Sequence, residues 1–294
     1  MSRENVLLSS LPPDERAKVF GVDYARLTPP EGGELFITEA GWPLREHLMP
    51  ASWYPNRKLP PGAIRLDGAT GTVYRVRGTP RAGRPVDLVV KFSRFAQPVP
   101  IHCGDTIPEH VWQRLIALAR FNSPFEEVAM LEQMRNASRA AGKPILTKRA
   151  YAIYSPPNRC EPWQLGRSDG EFEHCRQRLA TDQSQLTQRG LSTATLQADR
   201  DYIVLFGWVH GQDAERMFLC GAISQEQMHD LSRRVRKDLA DCGYHVLDNK
   251  PKHYILRRAR RSGELLRRHG KLVYSLIDFE LLADLPSAME TSAA

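Results

Sequence analysis

Lys91 lies in the run Val89-Val90-Lys91-Phe92, a lysine inside an apolar stretch of strand-forming residues. An ammonium on an interior strand is costly unless an anionic group meets it. A fold that keeps this strand inside must bring a carboxylate to Lys91. Otherwise the strand lies at an edge with Lys91 turned to solvent. This requirement constrains the chain more than its composition does, because 41% hydrophobic and 26% charged residues are ordinary values for a globular protein. At 294 residues the chain is long enough for one large domain or two lobes.

Several classes are disfavoured. No run approaches the length of a membrane-spanning helix, and the N-terminus lacks a signal-peptide core, so a cytoplasmic protein is expected. The five cysteines (Cys103, Cys160, Cys175, Cys220, Cys242) are odd in number, widely spaced and without a CxxC pair. Neither a zinc ribbon nor a disulfide framework is indicated. The net charge of +7 is local. Between Lys252 and Lys271 there are eight basic residues and one acid, Glu264, which accounts for the whole excess. A protein that coats nucleic acid over its entire surface is therefore not implied.

Residues 1–60 read as an N-terminal extension. Pro12-Pro13 followed by Asp14 and Glu15 suits a short helix ending at Gly21, and Glu34–Thr38 suits a strand. The prolines at 50, 55, 60 and 61 suggest loop-rich connections. From residue 62 short strands are expected at 64–66, 72–77 and 87–92, with turns at Gly78-Thr79-Pro80 and Ala82-Gly83-Arg84-Pro85. Residues 108–141 read as two helices, the second starting at Ser123-Pro124 and carrying Val128, Leu131 and Met134. Strands are expected at 149–154 and 202–209, separated by a polar insertion at 156–199 with a helix near 170–189. A helix from Ser224 to Cys242, capped by Ser224 and ended by Gly243, comes next.

Two stretches near the end carry the most chemistry. Asp248-Asn249-Lys250-Pro251-Lys252-His253-Tyr254-Ile255-Leu256 is followed, after the basic segment, by Leu276-Ile277-Asp278-Phe279-Glu280. Upstream, Gly68-Ala69-Thr70-Gly71-Thr72-Val73-Tyr74 puts two glycines between strands, and Lys91 follows Val73 by 18 positions. Taken together and in this order, these segments resemble the catalytic loop, metal-binding motif, glycine-rich loop and lysine strand of the protein-kinase-like fold. The resemblance covers about residues 62–282. It is nearer to compact atypical bacterial kinases, lipopolysaccharide-kinase-like or RIO-like, than to eukaryotic protein kinases.

The resemblance implies an α+β, bilobal protein-kinase-like fold with an antiparallel-sheet N-lobe and a truncated, mainly helical C-lobe. Its N-lobe would span 61–209, with insertions at about 95–110 and 156–199, and its C-lobe 210–294. It implies ATP with magnesium as cofactors. Gly68, Ala69, Thr70 and Gly71 would cover the phosphates and Val73 the adenine. Lys91 would anchor the phosphates, paired with a glutamate of the next helix. Glu127 is favoured over Glu126 because an apolar run follows it. Phe206 and Trp208 lie on the segment leading to the adenine-binding backbone. Asp248 would orient the acceptor, Lys250 would neutralise transferred charge, and Asp278 would hold the metal.

The departures matter as much. Leu66 stands where the family's leading glycine would be. His253 stands where the family has a metal-ligating asparagine, so a softer ion such as manganese is an alternative to magnesium. Glu280 stands where glycine is common, and the 14 residues after it cannot hold an activation segment. The expected function is an ATP- and metal-dependent phosphotransferase. A pseudokinase that binds nucleotide or a partner without turnover is the alternative, and nucleotidylation on the same fold is a third reading. The basic run Arg257–Arg268 is expected beside the cleft. It reads either as a solvated surface or as a docking patch for an anionic acceptor: a phosphorylated sugar, a lipid headgroup, nucleic acid or an acidic protein.

Overall fold

The computed structural model describes residues 8–66, 72–78, 85–93, 122–161, 164, 200–246, 249–279 and 282–284. The chain divides into two compact units. The first comprises residues 1–97, 123–129 and 149–208, and the second residues 98–122, 130–148 and 209–294.

The start of the first unit differs from the helix expected up to Gly21. Pro13–Glu15 make only a 3-10 turn. β1 (Arg16–Val19) and β2 (Val22–Leu27) then form an antiparallel hairpin. Its turn is Phe20 (φ 49°) and Gly21 (φ 80°). Two successive positive φ values match the right-handed twist of the flanking strands. Arg16-Ala17-Lys18-Val19 offers no helical apolar stripe, so pairing with β2 wins. β3 (Glu34–Thr38) is a strand as expected. Two single-turn helices follow, α1 (Arg45–Leu48) and α2 (Pro50–Trp53), neither evident in the sequence.

β4 (Ile64–Arg65), β5 (Val73–Gly78) and β6 (Val86–Phe92) lie close to their expected positions. So does α3 (Pro124–Ala140). β7 (Leu146–Thr147) belongs to the second unit, whereas β8 (Ala150–Ser155) and β9 (Ile203–Gly207) return to the first. The first unit is one antiparallel sheet in the order β1-β2-β3-β8-β9-β6-β5-β4. Residues 16–38 are therefore integral to the sheet.

Alternation along the strands assigns the two faces. Val76, Leu88, Val90, Phe92, Ile203 and Leu205 share one core cluster with Leu48, Trp53 and Tyr54 of the short helices and the turn after them. Residues Val89 and Lys91 point to the other face. There Phe125, on the first turn of α3, makes edge-on contacts with Tyr24, Phe36 and Tyr202 at 5.1 to 6.0 Å between ring centroids.

In the second unit, β10 (Gln212–Asp213) leads into α4 (Ala214–Leu219), whose N-cap Asp213 accepts from the Arg216 N–H. Ser224 caps α5 (Gln225–Ala240), as the sequence predicts, and forms a box with Gln227, each side chain accepting from the other's backbone N–H. Gly243 follows it with φ 86°. Leu231, Val235 and Leu239 form its buried stripe. Next come β11 (Tyr244–Val246), β12 (Tyr254–Leu256), β13 (Arg267–Arg268), β14 (Lys271–Leu272), β15 (Tyr274–Leu276) and β16 (Leu282–Asp284). β10, β12, β15 and β7 make a four-stranded sheet, with β7 parallel to β15. Among the described residues this unit is mixed helix and sheet rather than mainly helical. No helix of the described residues is long and apolar enough to cross a membrane.

Candidate functional site

Lys91 has the carboxylate its position requires. Its Nζ donates to both Glu127 carboxylate oxygens at 3.0 Å, and the two side chains are 9% and 3% exposed. The lysine comes from β6 and the glutamate from the first turns of α3. The sheet is antiparallel around it, with Val73 directly opposite Lys91 on β5 and Val204 on β9. The edge-strand alternative is excluded, because β6 is paired on both sides.

The adjacent Glu126 has a different task. Its Oε2 accepts from the Ser123 backbone N–H at 2.8 Å, and the Ser123 hydroxyl oxygen accepts from the Glu126 N–H at 3.2 Å. Ser123-Pro124-Phe125-Glu126 is thus a capping box with proline at the first helical position. The box sets the helix start, and a rotation of ~100° per residue then turns Glu127 to another side of α3.

The segment leading from β9 is bound into the first unit's sheet. Phe206 is fully buried between β6 and β8, its ring in the core. The Trp208 N–H donates to the Asp87 carbonyl at 3.1 Å and the Gly207 N–H to that of Arg149 at 2.9 Å. Both donors are used inside the protein. Trp208 keeps some exposed surface, with the Arg75 guanidinium 4.6 Å from its ring centroid. Arg75 is itself held by Asp87 at 2.6 Å.

In the second unit, Pro251–His253 form a 3-10 turn in which the His253 N–H donates to the Lys250 carbonyl at 2.9 Å. β12 starts at the next residue and pairs with β15, Tyr254 opposite Leu276. The Ile277 N–H extends that ladder by donating to the His253 carbonyl at 3.1 Å. His253 and Asp278 therefore emerge from the same end of two paired strands. Their Nε2 and Oδ2 atoms are 3.3 Å apart, with the side chains 16% and 33% exposed. This separation suits a direct hydrogen bond. It also matches the roughly 3.0–3.4 Å between two ligand atoms that share one metal ion. Among the described residues there is no group of three or more His, Cys, Asp or Glu able to hold a metal.

Around this pair the backbone is well supported. The Asn122 side-chain amide donates to the Phe279 carbonyl at 3.2 Å, next to Asp278. The Tyr254 hydroxyl donates to Asn249 Oδ1. Lys250 is exposed, and Lys252 pairs with Glu215 at 3.1 Å. Behind β15, the Tyr274 hydroxyl donates to Asp238 at 2.8 Å. Burial, and secondarily the Asp238 charge, push its pKa well above the usual tyrosine value. Gly68, Ala69, Thr70, Gly71, Asp248 and Glu280 lie outside the described residues.

Two residues here escape sequence reasoning. Lys148 is buried, its ammonium 5.7 Å from the Phe279 ring centroid. In Leu146-Thr147-Lys148-Arg149 nothing marks it as interior; only the parallel pairing of β7 with β15 draws it in. Asn122 likewise has no local signature. The basic segment links β12 to β15 as a hairpin. It joins the opposite end of the β12–β15 ladder from His253 and Asp278. No protein-family model and no curated protein matches this chain.

Proposed function

We propose that this chain is an ATP- and metal-dependent phosphotransferase of an atypical, compact kinase-like fold, its two units being the two lobes. The observation that carries the reading is the buried Lys91–Glu127 pair. A two-point carboxylate grip holds the ammonium in one place on a rigid strand, ready to meet the phosphates of a nucleotide. Three strands, a helix that donates the glutamate, and two more strands in one antiparallel sheet support the same reading.

In this reading Gly68–Gly71 cover the phosphates and Val73 lines the base. Asp248 orients the acceptor hydroxyl and Lys250 offsets charge on the transferred group. Asp278 holds the metal, whose bound form supplies charge neutralisation at the phosphates. The 3.3 Å spacing makes His253 a fitting second ligand and favours manganese beside magnesium.

The same contact motivates a second reading, a pseudokinase. With its Nε2 3.3 Å from the Asp278 carboxylate, the His253 imidazole would compete with a metal for that oxygen. Purified protein incubated with γ- and α-labelled ATP, with magnesium or manganese, separates these. γ-Label transfer that disappears in Asp248→Ala and Asp278→Ala supports the phosphotransferase. Incorporation of α-label instead identifies nucleotidylation, and ATP binding without turnover over a panel of acceptors identifies the pseudokinase. An absence of ATP binding that persists with both metals refutes the phosphotransferase, nucleotidylation and a nucleotide-binding pseudokinase.

A further inference from the structure

We infer that the basic ribbon of residues 257–272 is a docking surface for the phosphate backbone of a nucleic-acid duplex. This stands on the ribbon alone and does not rest on the catalytic reading. Arg257, Arg258, Arg260, Arg261, Arg267 and Arg268 are exposed along most of the ribbon, as is Lys271. None of them is ion-paired among the described residues, whereas Lys252, just before them, is held by Glu215.

The ribbon is ordered by its own backbone. The Leu266 N–H donates to the Arg257 carbonyl at 2.8 Å and the Ala259 N–H to the Glu264 carbonyl at 2.8 Å. β13 and β14 then close a two-residue turn at His269 (φ 49°) and Gly270 (φ 73°). The Arg258 and Arg267 guanidinium groups each donate to a turn carbonyl at 3.0 Å, those of Gly263 and Gly270. Charges on such a frame are presented with little ordering left to do on binding.

One feature of the frame is unfavourable for folding. Arg268 and Lys271 are directly opposite each other across β13–β14. Like charges in that relation repel and destabilise a hairpin. An anion bound between them would relieve the repulsion.

The ligand chemistry follows from what the ribbon has and lacks. Six of its seven cations are arginine, whose planar fork grips phosphate through two hydrogen bonds. No Phe, Tyr or Trp occurs from 257 to 273, so there is no platform on which unpaired bases would stack. The large exposed apolar residues of the described chain, Ile64, Leu146 and Leu219, are not on the ribbon. It therefore has no wedge to insert into a lipid interface. The ladder from Tyr254 to Leu256 sets the ribbon roughly 10 Å from the His253–Asp278 end, too far for one small phosphorylated molecule to engage both. A polyanion of regularly spaced phosphates fits, and a two-stranded ribbon has the width of a duplex major groove.

The test measures binding of the full chain, without ATP, to labelled DNA and RNA duplexes, to a single strand of the same sequence, and to phosphatidylserine vesicles. Binding to a duplex that weakens with salt, and falls at least tenfold in Arg257→Ala/Arg258→Ala/Arg260→Ala/Arg261→Ala, is expected. That variant should also lower the log–log salt slope by about 2–4, near 0.9 for each phosphate that the ribbon no longer neutralises. Arg267→Ala/Arg268→Ala, at the ribbon tip, provides a second and smaller perturbation if the fourfold variant fails to fold. Because the assay contains no ATP, loss of duplex binding and loss of label transfer are read separately, which separates this inference from the catalytic one. Unaltered affinity and slope in both ribbon variants would overturn it. So would tighter binding to the single strand, or binding to the vesicles alone.

Discussion

Two neighbouring glutamates, Glu126 and Glu127, show how one residue step decides a role. Glu126 closes the capping box with Ser123, and Glu127 meets Lys91. Removing one member of a buried ion pair strands the other, so Lys91→Met should cost about 3–5 kcal/mol. Lys91→Met with Glu127→Leu should recover much of that loss, since neither charge remains buried. Urea midpoints of the two variants check this, independently of any activity. A second residue-scale expectation concerns Cys160. Burial, and then the Asp201 carboxylate nearby, push its thiol up from 9.0 to about 12. Burial likewise pushes the Tyr154 phenol up to about 12. Folding favours the neutral form of each. Their contribution to stability is therefore complete below about pH 9 and is lost as the pH rises towards about 12. Thermal melts across that range should fall, with a shallower fall in Cys160→Ala. The need for a partner at Lys91 is legible in its apolar surroundings. The identity of the partner is legible in the apolar run after Glu127, and the structure adds that Ser123 claims Glu126.

At the scale of elements, local signals succeed where one residue type has a strong positional meaning. Ser224 with Gln227 starts α5 and Gly243 follows its end, as the capping pattern requires. Ser224→Ala should remove the Ser224 half of that box and cost about 1 kcal/mol, measured by chemical denaturation. The β1–β2 hairpin carries the signature of a helix, because Pro12-Pro13-Asp14-Glu15 is a good helix start and Phe20-Gly21 looks like a helix end. The start is real but lasts one 3-10 turn, because pairing with β2, and of β2 with β3, outweighs it. Gly211 is another element-scale requirement invisible in sequence. It has φ 139°, and a Cβ there would sit 2.3 Å from the Leu256 carbonyl oxygen. Gly211→Ala should therefore pry β10 from β12 and lower the melting temperature. Unchanged stability would show that the backbone can yield there.

For the whole molecule, the first unit is organised by alternation. One face of its sheet takes Trp53 and Tyr54, while the other takes Phe125 and the Lys91–Glu127 pair. The second unit is organised by a ladder with different chemistry at its two ends, His253 and Asp278 at one and the basic ribbon at the other. Substituting His253 should therefore alter metal-dependent properties and leave the ribbon's salt-dependent binding intact. Metal titration of His253→Asn beside the duplex-binding assay checks that separation.

The sequence by itself determined the strands at 64–92, the lysine strand, α3, α5 and the localisation of charge. Each of these is written in nearest-neighbour chemistry: β-branched runs, caps and clustered arginines. The tertiary structure alone decided that residues 16–38 join the main sheet, that Lys148 is interior, and that the Trp208 N–H is already used. It also decided that His253 and Asp278 come within 3.3 Å of each other. These depend on which strand lies beside which, and on their register. Such pairings are set by contacts between residues far apart in the chain, about which a local pattern carries no information.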